Sequence, residues 1–385
     1  MLRGLPMYAP GITKTILYAS CPPELTGAAF LRSNDPNGCG YPPSNAVLML
    51  PFAALPFSLA RIALYCVMAS VLLFGIYRLM RYAAPEWSGN ALLLFLLAAQ
   101  QSITTRWGLG MLQIAPLITG LFALFLVAAA KKREGQMTIL MTLALCLKLT
   151  LGFPFLLFAV LSGRFRVALF SLVAFLLINA AGFARVGGTQ ALPDYAQQVA
   201  KVQGLRVNSP DPYLPGSFER IDFEYLLNGL HRDLQISHYL ALTLSALALV
   251  FLLWAAWQTR ARRDTLEWAE AFAAPIVCLS LLAVYHHKYD AVILLIPLFL
   301  AVRFHCTQES RDARRIFIAA AFLLTCVYPV GRVFALPLGH LLNVAPSIVE
   351  RLSYSFLLTV AFAASLKTLF AFVRKTSSGG ASNFL

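Results

Sequence analysis

The sequence predicts an all-α polytopic membrane protein, a transmembrane helical bundle of about 11 segments, and three observations lead there. Of 385 residues, 59% are hydrophobic and 12% charged, against about 25% charged in a soluble domain. The apolar residues fall into runs that recur from about Ala46 to Phe372. The basic residues sit between those runs in short clusters: Arg78 and Arg81; Lys131, Lys132 and Arg133; Arg164 and Arg166; Arg260, Arg262 and Arg263; Arg311, Arg314 and Arg315; Arg374 and Lys375. Basic connectors at alternate segment ends follow the positive-inside rule. The formal charge of +14 therefore reflects membrane orientation and gives no reason to expect a nucleic-acid partner.

The segments run Ser58–Met80, Ala91–Thr104, Gly110–Ala130, Gln136–Leu147, Leu149–Leu161, Val167–Phe183, Ile236–Trp257, Trp268–Tyr285, Ala291–Val302, Ile316–Leu336 and Leu352–Val373. Several are shorter than the roughly 20 residues that cross about 30 Å of hydrocarbon. One choice decides the topology. If Gln136–Leu161 is one helix, Arg164 and Arg166 fall on the opposite side from every other basic cluster. If the chain breaks at Lys148 into two short or tilted helices, all the clusters share the cytoplasmic side. The broken form is the one predicted.

It divides the chain into an extracytoplasmic loop with an interfacial helix (1–57), amino-terminal membrane helices (58–183), a long extracytoplasmic loop (184–235), carboxy-terminal helices (236–374) and a disordered cytoplasmic tail (375–385). The outer side then collects residues 1–57, the Thr105–Leu109 turn, the Lys148 bend, the long loop, the His286–Asp290 turn and the Pro337–Arg351 loop. Membrane lipids surround such a bundle, and a bacterial-type plasma (inner) membrane with an extracytoplasmic active face is expected. An outside amino terminus also calls for an earlier transmembrane helix, because Met1–Ser20 is neither long nor apolar enough to carry the chain across.

An ionisable group inside a membrane segment costs about 2.5–3.5 kcal/mol on insertion scales and is a functional hypothesis by default. Arg61, Arg332 and Lys367 lie near segment ends, where they can snorkel. Lys148 interrupts an otherwise apolar run, Leu145 to Leu151, and reads as a cation offered to an anionic phosphate, or else as a lysine reaching the interface. Between two apolar segments, the turn Tyr285, His286, His287, Lys288, Tyr289, Asp290 concentrates hydrogen-bonding groups suited to a polar headgroup. Adjacent histidines cannot both face one way on a helix, and no metal-ligand spacing or cofactor motif occurs, so neither metal nor cofactor is expected.

Asp35 lies in Arg32–Pro43, ahead of a proline-punctuated apolar stretch from Ala46 to Phe57 that reads as a short helix in the outer interface. It is either a catalytic carboxylate or a turn former. Arg106 and Gln113 stand at the outer end of another segment, where an amide can also simply join helices. The long loop mixes Asp194, Asp211, Glu219, Asp222 and Glu224 with Tyr213, Phe218, Phe223 and Tyr225. Of seven cysteines, four lie in apolar runs as small hydrophobes. Cys21 and Cys39 flank a polar outer stretch, where a disulfide is left open.

These residues, in this order, resemble glycosyltransferase family 87. The features are Tyr41-Pro42-Pro43 before a proline-broken apolar run, Gly110 to Gln113, the intramembrane Lys148, and His286, His287, Tyr289 and Asp290 leading into Leu294-Leu295-Ile296-Pro297. The resemblance implies the GT-C membrane fold and a mannosyltransferase-like inverting hexosyl transfer. The sugar would pass from a polyprenyl-phosphate donor to a lipid or glycan acceptor. It further implies a carboxylate base in the first outer loop, for which Asp35 is the candidate. Arg106, Gln113, Lys148 and the His286–Asp290 turn would then bind substrate. The family usually carries an aspartate just after its first transmembrane helix, a point that this sequence is expected to start beyond, so that base would go with the missing helix and Asp35 would be a substitute or a bystander. A transporter or flippase for a lipid-linked or amphiphilic solute is the rival, but it must open to both sides, whereas the non-basic polar residues here gather on one.

Overall fold

A computed structural model describes residues 43–53, 55–186, 192–193, 195–197, 200, 208–214, 220–303, 311–326 and 346–379. Asp35, Cys21, Cys39, Tyr41 and Pro42 lie outside these residues. The described chain is helical, and the helices are α1 (Pro43–Ala53), α2 (Phe57–Ala83), α3 (Gly89–Gln101), α4 (Ile103–Gly110), α5 (Ala115–Ala130), α6 (Glu134–Leu147), α7 (Leu149–Leu161), α8 (Phe165–Val186), α9 (Phe223–His231), α10 (Leu234–Gln258), α11 (Leu266–Ala283), α12 (Leu295–Arg303), α13 (Arg311–Cys326) and α14 (Pro346–Gly379). The all-α polytopic class expected from the sequence is the class observed. Among the described residues, five helices are long and apolar enough to cross a membrane: those within α2, α8, α10, α11 and α14. Four more are apolar but shorter: α3, α5, α6 and α7.

The break at Lys148 is present. Lys148 has an extended backbone (φ −155°, ψ 105°) and serves at once as the end of α6 and the start of α7. The two helices have 14 and 13 residues, about 21 and 20 Å at 1.5 Å per residue, and pack as a hairpin. The hairpin returns Arg164 to the end it left at Lys132. Asp264 joins the two, accepting from Lys132 at 2.7 Å and Arg164 at 3.2 Å. Arg164 also donates to the Ala129 carbonyl at 2.8 Å, so three basic connectors meet at one end of the bundle. Lys132 holds the Asp264 carboxyl below its ordinary range against the opposing effect of burial, with Arg164 assisting.

At the core, aromatic rings from α5, α7 and α11 form a ladder. Phe122 meets Phe155 at 5.0 Å, Phe125 meets Phe158 at 5.7 Å, Phe158 meets Trp268 at 5.4 Å and Trp268 stacks on Phe272 at 4.1 Å. Helix α10 instead leaves Leu242, Leu247, Val250 and Trp257 exposed, as a helix bathed in lipid does. Helices α2 and α5 cross at Gly75 and Gly120. A Cβ on Gly120 would lie 2.2 Å from the Val71 carbonyl oxygen, so this approach of two backbones requires glycine.

Three expectations change. The apolar stretch after Pro43 is a helix, but its first turn is docked in the bundle: Ser44 is fully buried and donates there from both its backbone N and its hydroxyl. The turn foreseen at Thr105–Leu109 is a helix, α4, because the Ser102 hydroxyl accepts from Thr105 N and caps it. The tail foreseen as disordered from residue 375 continues α14 as far as Gly379. Arg374 and Lys375 favour this, since cations stabilise the carboxy-terminal end of a helix.

Candidate functional site

The end of the bundle opposite the basic connectors gathers the Lys148 break, the 3-10 turn Lys288–Leu294, α4, the start of α1 and the segment around Arg220. Because α6 stops at Lys148, its last carbonyls have no partners within the helix. Helix α1 supplies them: Ser44 Oγ donates to the Cys146 carbonyl at 3.1 Å and Asn45 Nδ2 to the Leu147 carbonyl at 2.7 Å. Ser44 N in turn donates to Asn179 Oδ1 of α8 at 3.1 Å. The broken backbone is therefore satisfied by protein, as membrane interiors require.

With the backbone held, the Lys148 ammonium reaches Asp290. Lys148 Nζ donates to both carboxylate oxygens, at 2.8 and 2.7 Å, and stands 5.4 Å from the centre of the Tyr289 ring. Asp290 is fully buried. It also accepts from His286 Nδ1 at 3.0 Å and from the His287 backbone N at 3.2 Å. The second bond is the reach-back of an acidic residue at the third position of a helical turn. Burial pushes the Asp290 carboxyl up, but Lys148 and His286 together outweigh it and hold the group well below the usual carboxylate range. It is an anion whose lone pairs are largely occupied.

His286 is enclosed completely. Since Nδ1 faces Asp290, the neutral ring carries its proton there and a lone pair on Nε2. That Nε2 has no hydrogen-bond partner among the described residues. Burial lowers the His286 pKa, with Lys148 adding to that and Asp290 opposing it, so the ring is neutral near pH 7.

His287 turns the other way, as adjacent residues must. Its ring stacks on Tyr289 at 5.1 Å and its Nε2 pairs with the Tyr285 hydroxyl, which also contacts Asn208 Oδ1. Lys288, grouped with the others in the sequence reading, places its ammonium 4.6 Å over the Tyr354 ring of α14. Arg106 is exposed on α4, the helix that packs against the turn. Gln113 is half-buried in the connection to α5, its backbone N bonded to the Gly108 carbonyl at 2.7 Å. The structure thus brings Lys148, His286, His287, Tyr289 and Asp290 together and sets Lys288 against another helix.

Sequence reasoning missed Arg220. This buried guanidinium holds Asp222 through Nε at 2.7 Å and Nη2 at 2.8 Å, Glu224 at 3.0 Å and the Asn208 carbonyl at 2.9 Å. It lies 5.2 Å over the Tyr285 ring. Arg220 and His287 form a short antiparallel bridge, with Ile221 N donating to the His286 carbonyl at 3.2 Å. Asp222 then caps α9 by accepting from Tyr225 N at 3.0 Å. The long loop is therefore fastened onto the histidine turn. A signal for α9 was present: Asp222 stands before Phe223, Leu226, Leu227 and Leu230, an apolar set at helical spacing. Nothing local marked Arg220, whose partners lie on both sides of it and across the fold.

The family model for glycosyltransferase family 87 matches residues 40–284. The chain belongs to glycosyltransferase family 87. The match takes in Lys148, Arg106, Gln113 and Arg220 and stops just before His286. No curated protein and no solved structure matches the chain. This family 87 protein is a membrane glycosyltransferase, and its helical bundle holds the Lys148–Asp290–His286 cluster.

Proposed function

We propose that this glycosyltransferase moves a mannose-like hexose from a polyprenyl-phosphate donor to a lipid or glycan acceptor, on the extracytoplasmic side, with inversion. The observation that carries the reading is the Lys148 break: an apolar helix is interrupted so that one cation enters a buried, preorganised cluster. A donor of this kind brings its own phosphate leaving group. The protein's task is to stabilise the charge that develops on that phosphate and to accept a proton from the acceptor. Lys148, aimed by Asp290, supplies positive charge, and His287 and Tyr289 form the wall beside it. The neutral, enclosed His286 donates from Nδ1 and holds the Asp290 carboxylate in place behind Lys148.

Asp290 and Asp222 are poor general bases because each is saturated with donors. The base is assigned to a carboxylate from outside this cluster, Asp35. Geometry also supports a recessed site: with arms of about 20 Å, the α6–α7 hairpin stops short of a hydrocarbon layer of about 30 Å. A lipid-linked donor reaches such a depth without leaving the bilayer.

The test supplies radiolabelled polyprenyl-phosphate sugars to membranes holding the full-length protein. Transfer to an endogenous acceptor is expected, at least a hundredfold weaker in Lys148→Ala and Asp35→Asn and largely kept in Glu224→Gln. No transfer from any such donor refutes the function, and full activity in Asp35→Asn removes that residue as the base.

A further inference from the structure

A cavity with charged walls lies at the end of the bundle that carries the basic connectors. It has a volume of about 200 Å³, opens to the surface and is lined by α11, α12, α13, α14 and Arg262. Glu270 lies 13 residues before Ala283, the end of α11 nearest the histidine turn, about 20 Å of helix, so the carboxylate is no part of the transfer site. Its inner walls include small side chains of α11 and α12, and its charged groups are Arg262, Glu267, Glu270, Arg314 and Lys375.

Glu270 sets the chemistry. Both carboxylate oxygens are shielded from solvent and have no hydrogen-bond partner among the described residues. Glu267, by contrast, is exposed and paired with Arg262 at 3.6 Å. A carboxylate buried without a donor costs several kcal/mol, and an acid placed so inside a membrane protein marks a ligand or ion path. Arg303 and Arg314 lie near enough to act on Glu270 but give its oxygens no hydrogen bond, so the carboxylate still calls for N–H donors on a cation, while Arg262, Arg314 and Lys375 favour an anion. One small molecule meets both demands if it carries a primary ammonium a few bonds from a phosphate.

We propose that this cavity binds the headgroup of an aminophospholipid, the ammonium on Glu270 and the phosphate among Arg262, Arg314 and Lys375. The volume is below the roughly 300–1,000 Å³ of pockets that enclose a drug-sized ligand, which suits a headgroup whose acyl chains remain in the bilayer. A quaternary choline headgroup has the same phosphate but no N–H for Glu270, and a glycerol headgroup lacks the cation. The basic connectors around the cavity place it at the leaflet opposite the proposed transfer site.

Native mass spectrometry of the full chain in detergent, titrated with phosphatidylethanolamine, phosphatidylcholine and phosphatidylglycerol of matched acyl chains, tests this. Phosphatidylethanolamine should be retained at least tenfold more tightly than the other two. Glu270→Gln should bring it to the level of phosphatidylcholine while the lipid-free protein melts no lower than the native chain. Equal retention of the ethanolamine and choline lipids by the native protein overturns the proposal, and that comparison needs no variant to fold. Free phosphoethanolamine should fail to displace the lipid at equal concentration; displacement mole for mole overturns the lipid assignment.

Discussion

Replacing Lys148 with methionine keeps most of the side-chain volume and removes the charge, leaving Asp290 with His286 and one backbone N–H. The Asp290 side chain is 0% exposed and that of Lys148 15% exposed, so the two losses are unequal. Removing one partner of a buried ion pair costs about 3–5 kcal/mol, and Lys148→Met should fall in that range. Asp290→Asn leaves a cation that already touches solvent and loses charge-assisted hydrogen bonds, for about 1.5–3 kcal/mol. In the double variant no buried charge is stranded, so its cost should fall short of the sum by at least about 2 kcal/mol, within the coupling expected of contacting groups. Denaturant unfolding of the detergent-solubilised full chain measures all three, with radiolabelled sugar transfer followed in parallel. Single costs that add to the double to within about 0.5 kcal/mol would refute the claim that the pair is one unit.

The folded protein holds the His286 pKa below its ordinary value, so between that lowered value and about 6.5 the unfolded chain binds more protons. Stability therefore rises with pH across this window, the melting temperature should climb from pH 5 to 7, and His286→Gln should flatten the rise; an unchanged slope refutes it. Gly120→Ala puts a methyl group 2.2 Å from the Val71 carbonyl oxygen and should destabilise by about 1–3 kcal/mol or more, read by the same unfolding assay. Asn45→Ala strips the donor from the Leu147 carbonyl and should cost about 1–3 kcal/mol and reduce sugar transfer with it; normal transfer would separate α1 from the site. The two ends can be assigned by cysteines at exposed positions 230 and 133, in a background lacking the native thiols. An impermeant reagent outside cells should label position 230 only, and labelling of position 133 instead would invert the topology.

Much of the fold was legible in the sequence because the bilayer imposes a simple code. Backbone groups in hydrocarbon must be satisfied within the segment, so apolar run length reports helices and basic connectors report their ends. That code alone required the break at Lys148. It was blind to α9 inside a polar loop and to the continuation of α14 into polar Ser377 and Ser378. Neither is a membrane segment, and capping and helix propagation rather than hydropathy form them.

The site divides along the same line. A cation in an apolar run is costly wherever it occurs, so composition by itself singled out Lys148, and the density of hydrogen-bonding residues singled out His286 to Asp290. That these two features, 142 residues apart, form one bidentate pair was decided by tertiary structure. Asp290 can be an anion in full burial only because the α6–α7 hairpin delivers Lys148 to it. His286 faces inward and Lys288 toward Tyr354 because the turn is pinned by Arg220 from a distant loop. Electrostatic partners across a fold leave no periodic trace in the chain, whereas the bilayer writes its requirement into every segment that spans it.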